Sequence, residues 1–390
     1  MYFQFTIPII KLFFFWIPKI IDVPVKQKDE VKQVSKVPIK STMSQLIRSV
    51  HTDSRGIAFG GQILAWMDVC AGVSAKRHAN GPCVTAAVDA VHFLKPIHEN
   101  EICIITACVN RSWSSSMEIG VTVETENMET GDVVICCFGF FTFVALPKRQ
   151  LPSVTPSSMR ERRRYHEAQE RRDRRLRTTK ELPQPCYPYT HPSLDSGVDD
   201  PKTRYGRSGS FSENRTLRIE SIQCCSDTYT EVIEIVFPEH CNSLGITFGG
   251  QIMKWMEYCA TMAANRLFRT YMLIASIDSI TFLESTKQGD IITVRAMVSA
   301  SYTHSVEVYV TVEAEDVNGN QRVTNDGWIS IVSVDENGFK LPVPKIKAIS
   351  TLELARQNGS AKRKLAREQE LQLLKSYLPD TLSPTKMSSK

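Results

Sequence analysis

One segment of this chain occurs twice, and this duplication restricts the available folds more than any other feature. Between His51 and Cys70, twelve of twenty positions are identical to those of the segment that begins at His240, 189 residues later. The register continues without a gap as far as Glu124 and Glu313. Solenoid repeats have periods of about 20–50 residues and need several copies. The sequence therefore predicts two copies of one domain.

Each copy has the pattern of one enclosed helix followed by strands. A Phe-Gly-Gly motif, at 59–61 and again at 248–250, precedes a segment with apolar residues at three-to-four spacing on nearly all sides. A helix of this kind is enclosed by other structure. In the first copy, four segments rich in Val, Ile, Thr and Phe follow, at 83–93, 102–109, 117–123 and 133–144. They predict antiparallel strands, so each copy is an α+β domain whose helix packs on a sheet.

Length and composition fit two globular domains. The 390 residues are 42% apolar and 23% charged, which argues against a disordered or multi-span membrane protein. Lys11 and Lys19 interrupt the apolar start of the chain, so its runs fall short of the roughly 20 residues that span a bilayer. We divide the chain into an apolar leader of unassigned role (1–42), a first domain (43–150), an Arg-rich helix with a disordered linker (151–215), a second domain (216–345), and a C-terminal helix with a tail (346–390).

Cysteine and histidine usage indicates a reducing compartment and predicts no metal centre. The eleven cysteines include no CxxC pair, and several lie within apolar runs, as buried free thiols do. The eight histidines form no HExxH motif and no cluster with the cysteines. Because stable disulfides are rare in the cytosol, we expect a cytoplasmic protein, with the mitochondrion as the alternative.

The net charge of +5 lies in one short segment. Residues 160–177 hold nine arginines and four acidic residues, and the rest of the chain is balanced. Glu and Arg alternate there at i,i+3 and i,i+4 spacing, which is typical of a solvated helix. Three interpretations stay open: a charged linker between the domains, a phosphate-binding helix, and a nucleic-acid contact. A footprint for nucleic acid along the whole chain is excluded by the neutral remainder.

Three motifs point to one family. They are the Gly-Gly-Gln-Ile-x-x-Trp-Met-acid pattern that begins at Gly60 and at Gly249, the segment Val-Thr-Ala-Ala-Val-Asp at 84–89, and Ser-Ser-Met-Glu-Ile at 115–119. Together they resemble the acyl-CoA thioesterases of the double-hotdog type, and among these the group of the cytosolic acetyl-CoA hydrolase and the brown-fat-inducible thioesterase. The resemblance covers residues 43–375, which is nearly the whole part of the chain that we expect to be folded.

The resemblance implies a fold, a reaction and partners. The fold is two tandem hotdog domains, each with a long central helix wrapped by an antiparallel sheet. The reaction is hydrolysis of acyl-CoA, either short-chain such as acetyl-CoA or longer, to free acid and coenzyme A. Coenzyme A belongs to the substrate, so no separate cofactor is implied, and regulation by a nucleotide stays open. We expect a homo-oligomer with no nucleic-acid partner, no integral membrane span, and no C-terminal START lipid-transfer domain, since only a short tail follows Ser376.

The helix starts and the helix acids are the candidate catalytic groups. Backbone N–H groups at a helix start lack partners within the helix and favour negative charge, so they suit the oxyanion of a polarised thioester. A carboxylate further along the helix can act as general base on a water molecule. The candidates are Gly60, Gly61, Asp68, Gly249, Gly250 and Glu257. We expect the productive site where Asp68 faces the loop at 245–250.

The resemblance also implies residues that bind coenzyme A, many through the main chain. They are Ala86, Ala87, Val88, Ser115, Ser116, Met117, Arg164, Ala275, Ser276 and Ile277. Arg164 is the first candidate for the phosphates, because guanidinium groups bind phosphate bidentately. Asp89 and Asp278 lie among apolar strand residues, so we expect structural roles for them.

One departure from the family pattern opens a second hypothesis. The resemblance implies an Asn three residues before the glycine pair, contributed by one repeat to the acid of the other. This chain has Ile57 and Ile246 there, with Asn242 and Thr247 nearby. Isoleucine cannot donate the hydrogen bond of an amide, and loss of one such donor can cost about 10²–10³ in turnover. The alternative function is therefore an acyl-CoA-binding or structural protein with weak or lost hydrolysis.

Overall fold

The computed structural model describes residues 35–178 and 223–375, which contain five helices and fifteen strands. The helices are α1 (Gly60–Ala79), α2 (Met159–Thr178), α3 (Gly249–Leu267), α4 (Thr351–Asn358) and α5 (Ser360–Lys375). The strands are β1 (Ser35–Lys36), β2 (Lys40–Leu46), β3 (Cys83–Phe93), β4 (Ile102–Ser112), β5 (Ser116–Glu126), β6 (Val133–Ala145), β7 (Ser153–Val154), β8 (Gln223–Cys224), β9 (Thr230–Ile235), β10 (Tyr271–Ile277), β11 (Ile280–Phe282), β12 (Ile291–Ser301), β13 (Ser305–Glu315), β14 (Gln321–Val334) and β15 (Ile346–Lys347). Short 3-10 turns precede α1, β9 and α3.

Each copy is a long helix packed on an antiparallel sheet, as predicted. In the first copy, α1 packs on the strands ordered β2-β4-β5-β6-β3, and in the second, α3 packs on β10-β14-β13-β12-β9. Leu64, Met67 and Ala71 of α1 are fully buried against this sheet. The strands alternate buried and less buried residues, as expected for a sheet with one face on the core. The fold is therefore two tandem hotdog domains.

The two copies share one sheet. Strand β3 of the first copy pairs antiparallel with β10 and with the short β11 of the second copy, for example at Val91 with Ile277 and at Val88 with Ile280. In the described residues this gives a continuous sheet of eleven strands with α1 and α3 packed side by side. Residues from both copies consequently meet at this junction.

Several predicted boundaries differ from those in the structure. Edge strand β2 begins at Lys40, three residues inside the segment assigned to the leader. The helix expected after the second domain is two helices, because the chain departs from helical hydrogen bonding at Gly359. Residues 1–34 of the leader, residues 179–222 with the expected disordered linker, and the last dozen residues lie outside the described ranges, whereas residues 35–36 of the leader form β1.

Helix α2 is docked on the first sheet and is not a fully solvated linker. Arg171 is only 7% exposed, and its Nε and Nη2 donate to the two carboxylate oxygens of Glu118 on β5, at 3.0 and 2.7 Å. Its guanidinium also lies 3.5 Å from the ring centroid of Phe140. One turn later, Arg175 pairs with Asp89 on β3. The spacing of charges within α2 predicted an exposed helix. It could not show the acidic partners Glu118 and Asp89, because these lie on strands distant in sequence.

Helix α5 docks on the second sheet in the same way. Arg363 donates to Oε1 of Glu307 at 2.6 Å, and Arg367 donates to Oε2 of Glu307 at 2.8 Å and to Asp278 at 2.7 Å. Asp89 and Asp278 thus have the structural roles that the sequence suggested. Each domain ends in a helix held by two arginines one turn apart.

Two further features bear on the setting of the protein. The ten cysteines in the described residues are free, and seven of them are buried. Across residues 35–178 and 223–375, no helix is both long enough and apolar enough to cross a membrane.

The buried ion pair between Arg171 of α2 and Glu118 of β5 should contribute most to the docking of α2 on the first sheet. Replacing Arg171 with Ala leaves Glu118 buried without its charged partner, which costs about 3–5 kcal/mol. Arg363→Ala should cost less, because Arg367 still donates to Glu307. Urea unfolding measures both, with exposed Arg162→Ala as the control. An Arg171→Ala protein as stable as the control would contradict this assignment.

Candidate functional site

Two cavities lie at positions related by the repeat. We call them the Asp68 cavity, of about 260 Å³, and the Glu257 cavity, of about 900 Å³. The same five helix positions line both. They are Asp68, Val69, Gly72, Val73 and Lys76 of α1, and Glu257, Tyr258, Thr261, Met262 and Asn265 of α3. The duplication has therefore produced two versions of one site with different chemistry.

Asp68 is held between the two repeats by two hydrogen bonds. Thr85 on β3 donates its hydroxyl to Oδ1 at 2.7 Å, and the N–H of Gly250 at the start of α3 donates to Oδ2 at 3.0 Å. The side chain is only 2% exposed. Burial raises the pKa of the carboxyl, and the two hydrogen bonds oppose this rise. The result is a fixed carboxylate with an enhanced affinity for a proton, which suits a general base.

Glycine at 250 allows this contact across the repeats. A Cβ at this position would lie 2.6 Å from the Cα of Ala65 and 2.9 Å from the Cβ of Asp68, too close for any other residue. The residue before the helix, Phe248, provides no side-chain cap. Backbone N–H groups at the start of α3 are thus left for a carboxylate or a ligand. Because Gly250 already donates to Asp68, Gly249 is the donor that remains at the cavity.

Asn242 supplies an amide to the Asp68 cavity. It lines this cavity together with Thr85 and Ile246. Its Oδ1 accepts hydrogen bonds from the N–H groups of Leu244 and Ile246, at 2.8 and 3.2 Å. The fixed oxygen leaves the NH₂ group as the donor available to a ligand. The sequence predicted no amide at this site because of Ile246, whereas the structure places the side chain of Asn242 on the cavity wall.

Asn242 was not predicted as a site residue because it lies in an ordinary turn pattern. Asn242 and its counterpart Asp53 each accept hydrogen bonds from the second and fourth backbone N–H groups that follow. The turn then passes through Gly245, or Gly56 in the first copy, with a positive φ near 70°. Asn and Asp favour such turns. The turn alone accounts for an Asn at position 242, so the sequence gives no reason to expect its amide at the cavity. Thr85 was missed because its counterpart is the apolar Ile274.

Glu257 lies at the start of α1 without an equivalent set of partners. It is 6% exposed, and its Oε2 has no hydrogen-bond partner among the residues that the structure describes. Burial raises its pKa to about 7, although the N–H groups of Gly61 and Gly60 partly oppose the rise. Ile274 lies where Thr85 lies in the other copy, so this carboxyl lacks the counterpart of the hydroxyl that bonds Asp68.

Asp53 occupies the place of Asn242 in the Glu257 cavity. One of its oxygens accepts a hydrogen bond from the hydroxyl of Tyr271, and the guanidinium of Arg55 lies 3.8 Å from the ring centroid of Tyr271. Both Asp53 and Tyr271 line the cavity. The wall of the Glu257 cavity therefore has a carboxylate bonded to Tyr271, where the Asp68 cavity has an amide whose NH₂ group can donate to a ligand.

The residues predicted to bind coenzyme A fall into three groups. Ala86 lines the Asp68 cavity, and Ala275 and Ser276 line the Glu257 cavity. Ala87, Val88 and Ile277 lie in the strand pairs that join the repeats. The rest, Ser115, Ser116, Met117 and Arg164, line neither cavity.

Two of these last residues have other contacts. Ser116 accepts a hydrogen bond from Arg172 at 2.9 Å. Arg164 lies near Cys108 of β4, where burial lowers the pKa of its guanidinium. The structure therefore gives Arg164 no contact with either cavity.

Comparison with known proteins gives consistent matches. Residues 55–131 and 244–319 match the model of the thioesterase superfamily. The acetyl-coenzyme A thioesterase of Mus musculus is 33% identical over 338 residues, which cover 85% of this chain and 57% of that protein. The cytosolic acyl coenzyme A thioester hydrolase of Mus musculus is 24% identical over 316 residues, which cover 78% of this chain and 77% of that protein.

A solved structure matches a single repeat. It is an acyl-CoA hydrolase from Staphylococcus aureus in complex with butyryl coenzyme A, coenzyme A and coenzyme A disulfide, with 27% identity and a TM-score of 0.38. The match covers 40% of this chain and 98% of that one. The chain spans about half the length of the first curated relatives it matches.

The buried carboxyl of Glu257 should make stability depend on pH. Its pKa is about 7 in the folded chain against 4.5 ordinarily, so the folded state binds the proton more tightly. The stability that this provides is complete below pH 4.5 and is lost as the pH rises to about 7. Relative to wild type, Glu257→Gln should gain about 3 kcal/mol between pH 4 and pH 8.

Chemical unfolding at a series of pH values measures this difference. The exposed Glu170→Gln on α2 is the matched control, and it should follow the wild-type curve. If Glu257→Gln also follows that curve, Glu257 is not a protonated carboxyl in the neutral range.

Proposed function

Since the chain carries two thioesterase-superfamily domains in tandem, we propose that it hydrolyses acyl-CoA to a free acid and coenzyme A. The observation that carries this proposal is the arrangement in the Asp68 cavity. A buried carboxylate is fixed by Thr85 and Gly250, and the amide of Asn242 lines the same space. A base and a neutral donor are what addition of water to a thioester requires.

The reaction follows from the positions of these groups. Asp68 accepts a proton from a water molecule, whose oxygen attacks the carbonyl carbon of the thioester. Negative charge develops on the carbonyl oxygen, where the NH₂ group of Asn242 and the N–H of Gly249 donate. The tetrahedral intermediate then collapses, the carbon–sulfur bond breaks, and the proton on Asp68 passes to the departing sulfur. The products are the free acid and coenzyme A, and Asp68 returns to its carboxylate form.

The size of the Asp68 cavity favours a short acyl group. Its volume of about 260 Å³ lies below the range of about 300–1,000 Å³ that is usual for small-molecule sites. The walls on the side of the second copy include Ile252 and Phe282. We therefore place acetyl-CoA and other short-chain thioesters ahead of long-chain ones as substrates.

The alternative of binding without hydrolysis loses its main support. That hypothesis depended on the absence of an amide, and Asn242 lines the cavity. It stays a distinct outcome of the measurements below, because Ile246 still places an apolar group beside Asn242.

We also propose that the chain forms homo-oligomers and acts in the cytoplasm. Edge strand β9 and the turn after it expose Ile233, Ile235 and Phe237, each about half or more accessible. Exposed apolar side chains clustered on a sheet edge suit contact with another subunit. Free thiols and a relative named as cytosolic support the compartment, with the mitochondrion as the alternative.

Removing the base or its orienting partner should lower turnover. Asp68→Asn should reduce kcat by about 10²–10⁴. Thr85→Val should reduce it by about 10–100-fold, because a hydrogen bond to a charged group contributes about 1.5–3 kcal/mol. Thr85→Ser keeps the hydroxyl and is the matched control. Release of the CoA thiol from acetyl-CoA to palmitoyl-CoA measures these effects. If wild type releases no more thiol than the uncatalysed background, the chain is not a thioesterase.

The amide can be tested at two positions in one loop. Asn242→Ala should reduce kcat by about 10²–10³, as loss of an oxyanion donor does. Ile246→Asn should give no gain, because the cavity already has its amide. A large gain from Ile246→Asn, together with an unaffected Asn242→Ala, would favour the alternative of a binding protein that has lost turnover.

A further inference from the structure

The Glu257 cavity is larger than its counterpart but lacks the groups that the proposed reaction uses. It offers about 900 Å³ against about 260 Å³. Thr85 is replaced by Ile274 and Asn242 by Asp53. The carboxylate of Asp53, already bonded to Tyr271, would repel a developing oxyanion where an amide would stabilise it. This cavity is therefore poorly suited to hydrolysis.

Glu257 nevertheless points to a ligand. A buried polar atom without a partner is costly and rare in folded proteins. Oε2 of Glu257 is such an atom, and the carboxyl lies on the lining of the cavity beside Gly60 and Gly61. With its pKa at about 7, the carboxyl is about half protonated near neutral pH and can then donate to a carbonyl or carboxylate oxygen.

The walls of the cavity indicate the class of this ligand. The apolar Phe93 and Ile274 lie with Glu257 around Gly60, and the lining also includes Ile63 and Met272. Lysines lie elsewhere on the lining, at Lys95, Lys340 and Lys364, with Glu368 beside Lys364. An apolar interior with a mainly basic remainder suits a molecule that has a hydrocarbon chain and an anionic head.

We propose that the Glu257 cavity binds a fatty acyl compound with an anionic head and holds it without hydrolysing it. The hydrocarbon chain lies along the apolar walls, the carbonyl or carboxylate oxygen accepts from Glu257, and the head lies near the lysines. An acyl-CoA and a free fatty acid share this chemistry. The proposal concerns a site other than the Asp68 cavity, so it holds whether or not that cavity hydrolyses thioesters.

Binding stoichiometry tests the proposal without turnover. The probe is the ketone analogue of decanoyl-CoA, in which a methylene group separates sulfur from carbonyl, so that it cannot be hydrolysed. Calorimetry should show that wild type binds the analogue in the Glu257 cavity, whether or not a further molecule enters the smaller Asp68 cavity. Thr261→Trp, which fills the Glu257 cavity from α3, should bind one molecule per chain fewer than wild type, and Val73→Trp, which fills the Asp68 cavity from α1, should keep that molecule. Thermal unfolding checks that both variants fold.

Two further measurements identify the contact and the source of the ligand. Glu257→Leu removes the hydrogen bond and should weaken only the site that Thr261→Trp eliminates, by about tenfold. Competition with decanoate distinguishes a free fatty acid from an acyl-CoA as the ligand. If decanoate displaces the analogue from that site, a free fatty acid suffices. If it does not, the coenzyme A head is required. A wild type that binds no analogue, or a Thr261→Trp protein that binds as many molecules per chain as wild type, would overturn the proposal.

Discussion

The close crossing of α1 and α3 is the constraint on which both cavities depend. Each helix begins with two glycines, and a Cβ at Gly61 or Gly250 would lie 2.8 or 2.6 Å from the backbone of the other helix. Only glycine lets the helices approach so closely. The approach places the acid of one helix against the free N–H groups at the start of the other. Without that contact the charged form of Asp68 or Glu257 would be strongly unfavourable, because it would be an isolated buried charge.

Duplication then allowed the two acids to diverge. Asp68 received a hydroxyl from Thr85 and a backbone N–H, and both stabilise its charged form. Glu257 is longer by one methylene and has Ile274 in place of that threonine, and burial raises its pKa to about 7. Burial raises the pKa of both carboxyls, but only Asp68 has a side-chain hydroxyl and a backbone N–H bonded to its two oxygens. Changes in only a few side chains therefore separate a carboxyl with both oxygens bonded from one with an oxygen left for a ligand.

The sequence alone predicts the repeat, the two helices and the strands well, because these depend on local periodicity. Strand β3 was predicted at its observed bounds, 83–93. The pairing of Asp68 with the loop that ends in the glycines at 249–250 followed from the family resemblance. The amide of Asn242 did not, because its turn hydrogen bonds account for its residue type without any reference to the cavity. The partner of Arg171 could not be found either, since Glu118 lies 53 positions earlier on another element.

The arginines also show that the duplicated unit is larger than the sequence register indicates. Arg171 and Arg363 make equivalent ion pairs, yet they are 192 residues apart, three more than the offset of the glycine motifs. A gapless comparison at 189 therefore loses the helices that close each domain. Once these helices are included, part of the positive charge of residues 160–177 is explained by ion pairs within the first domain. Arg171 and Arg175 neutralise acids buried in the first sheet, as Arg363 and Arg367 do in the second, so part of the excess base holds the fold together and is unavailable to a polyanion.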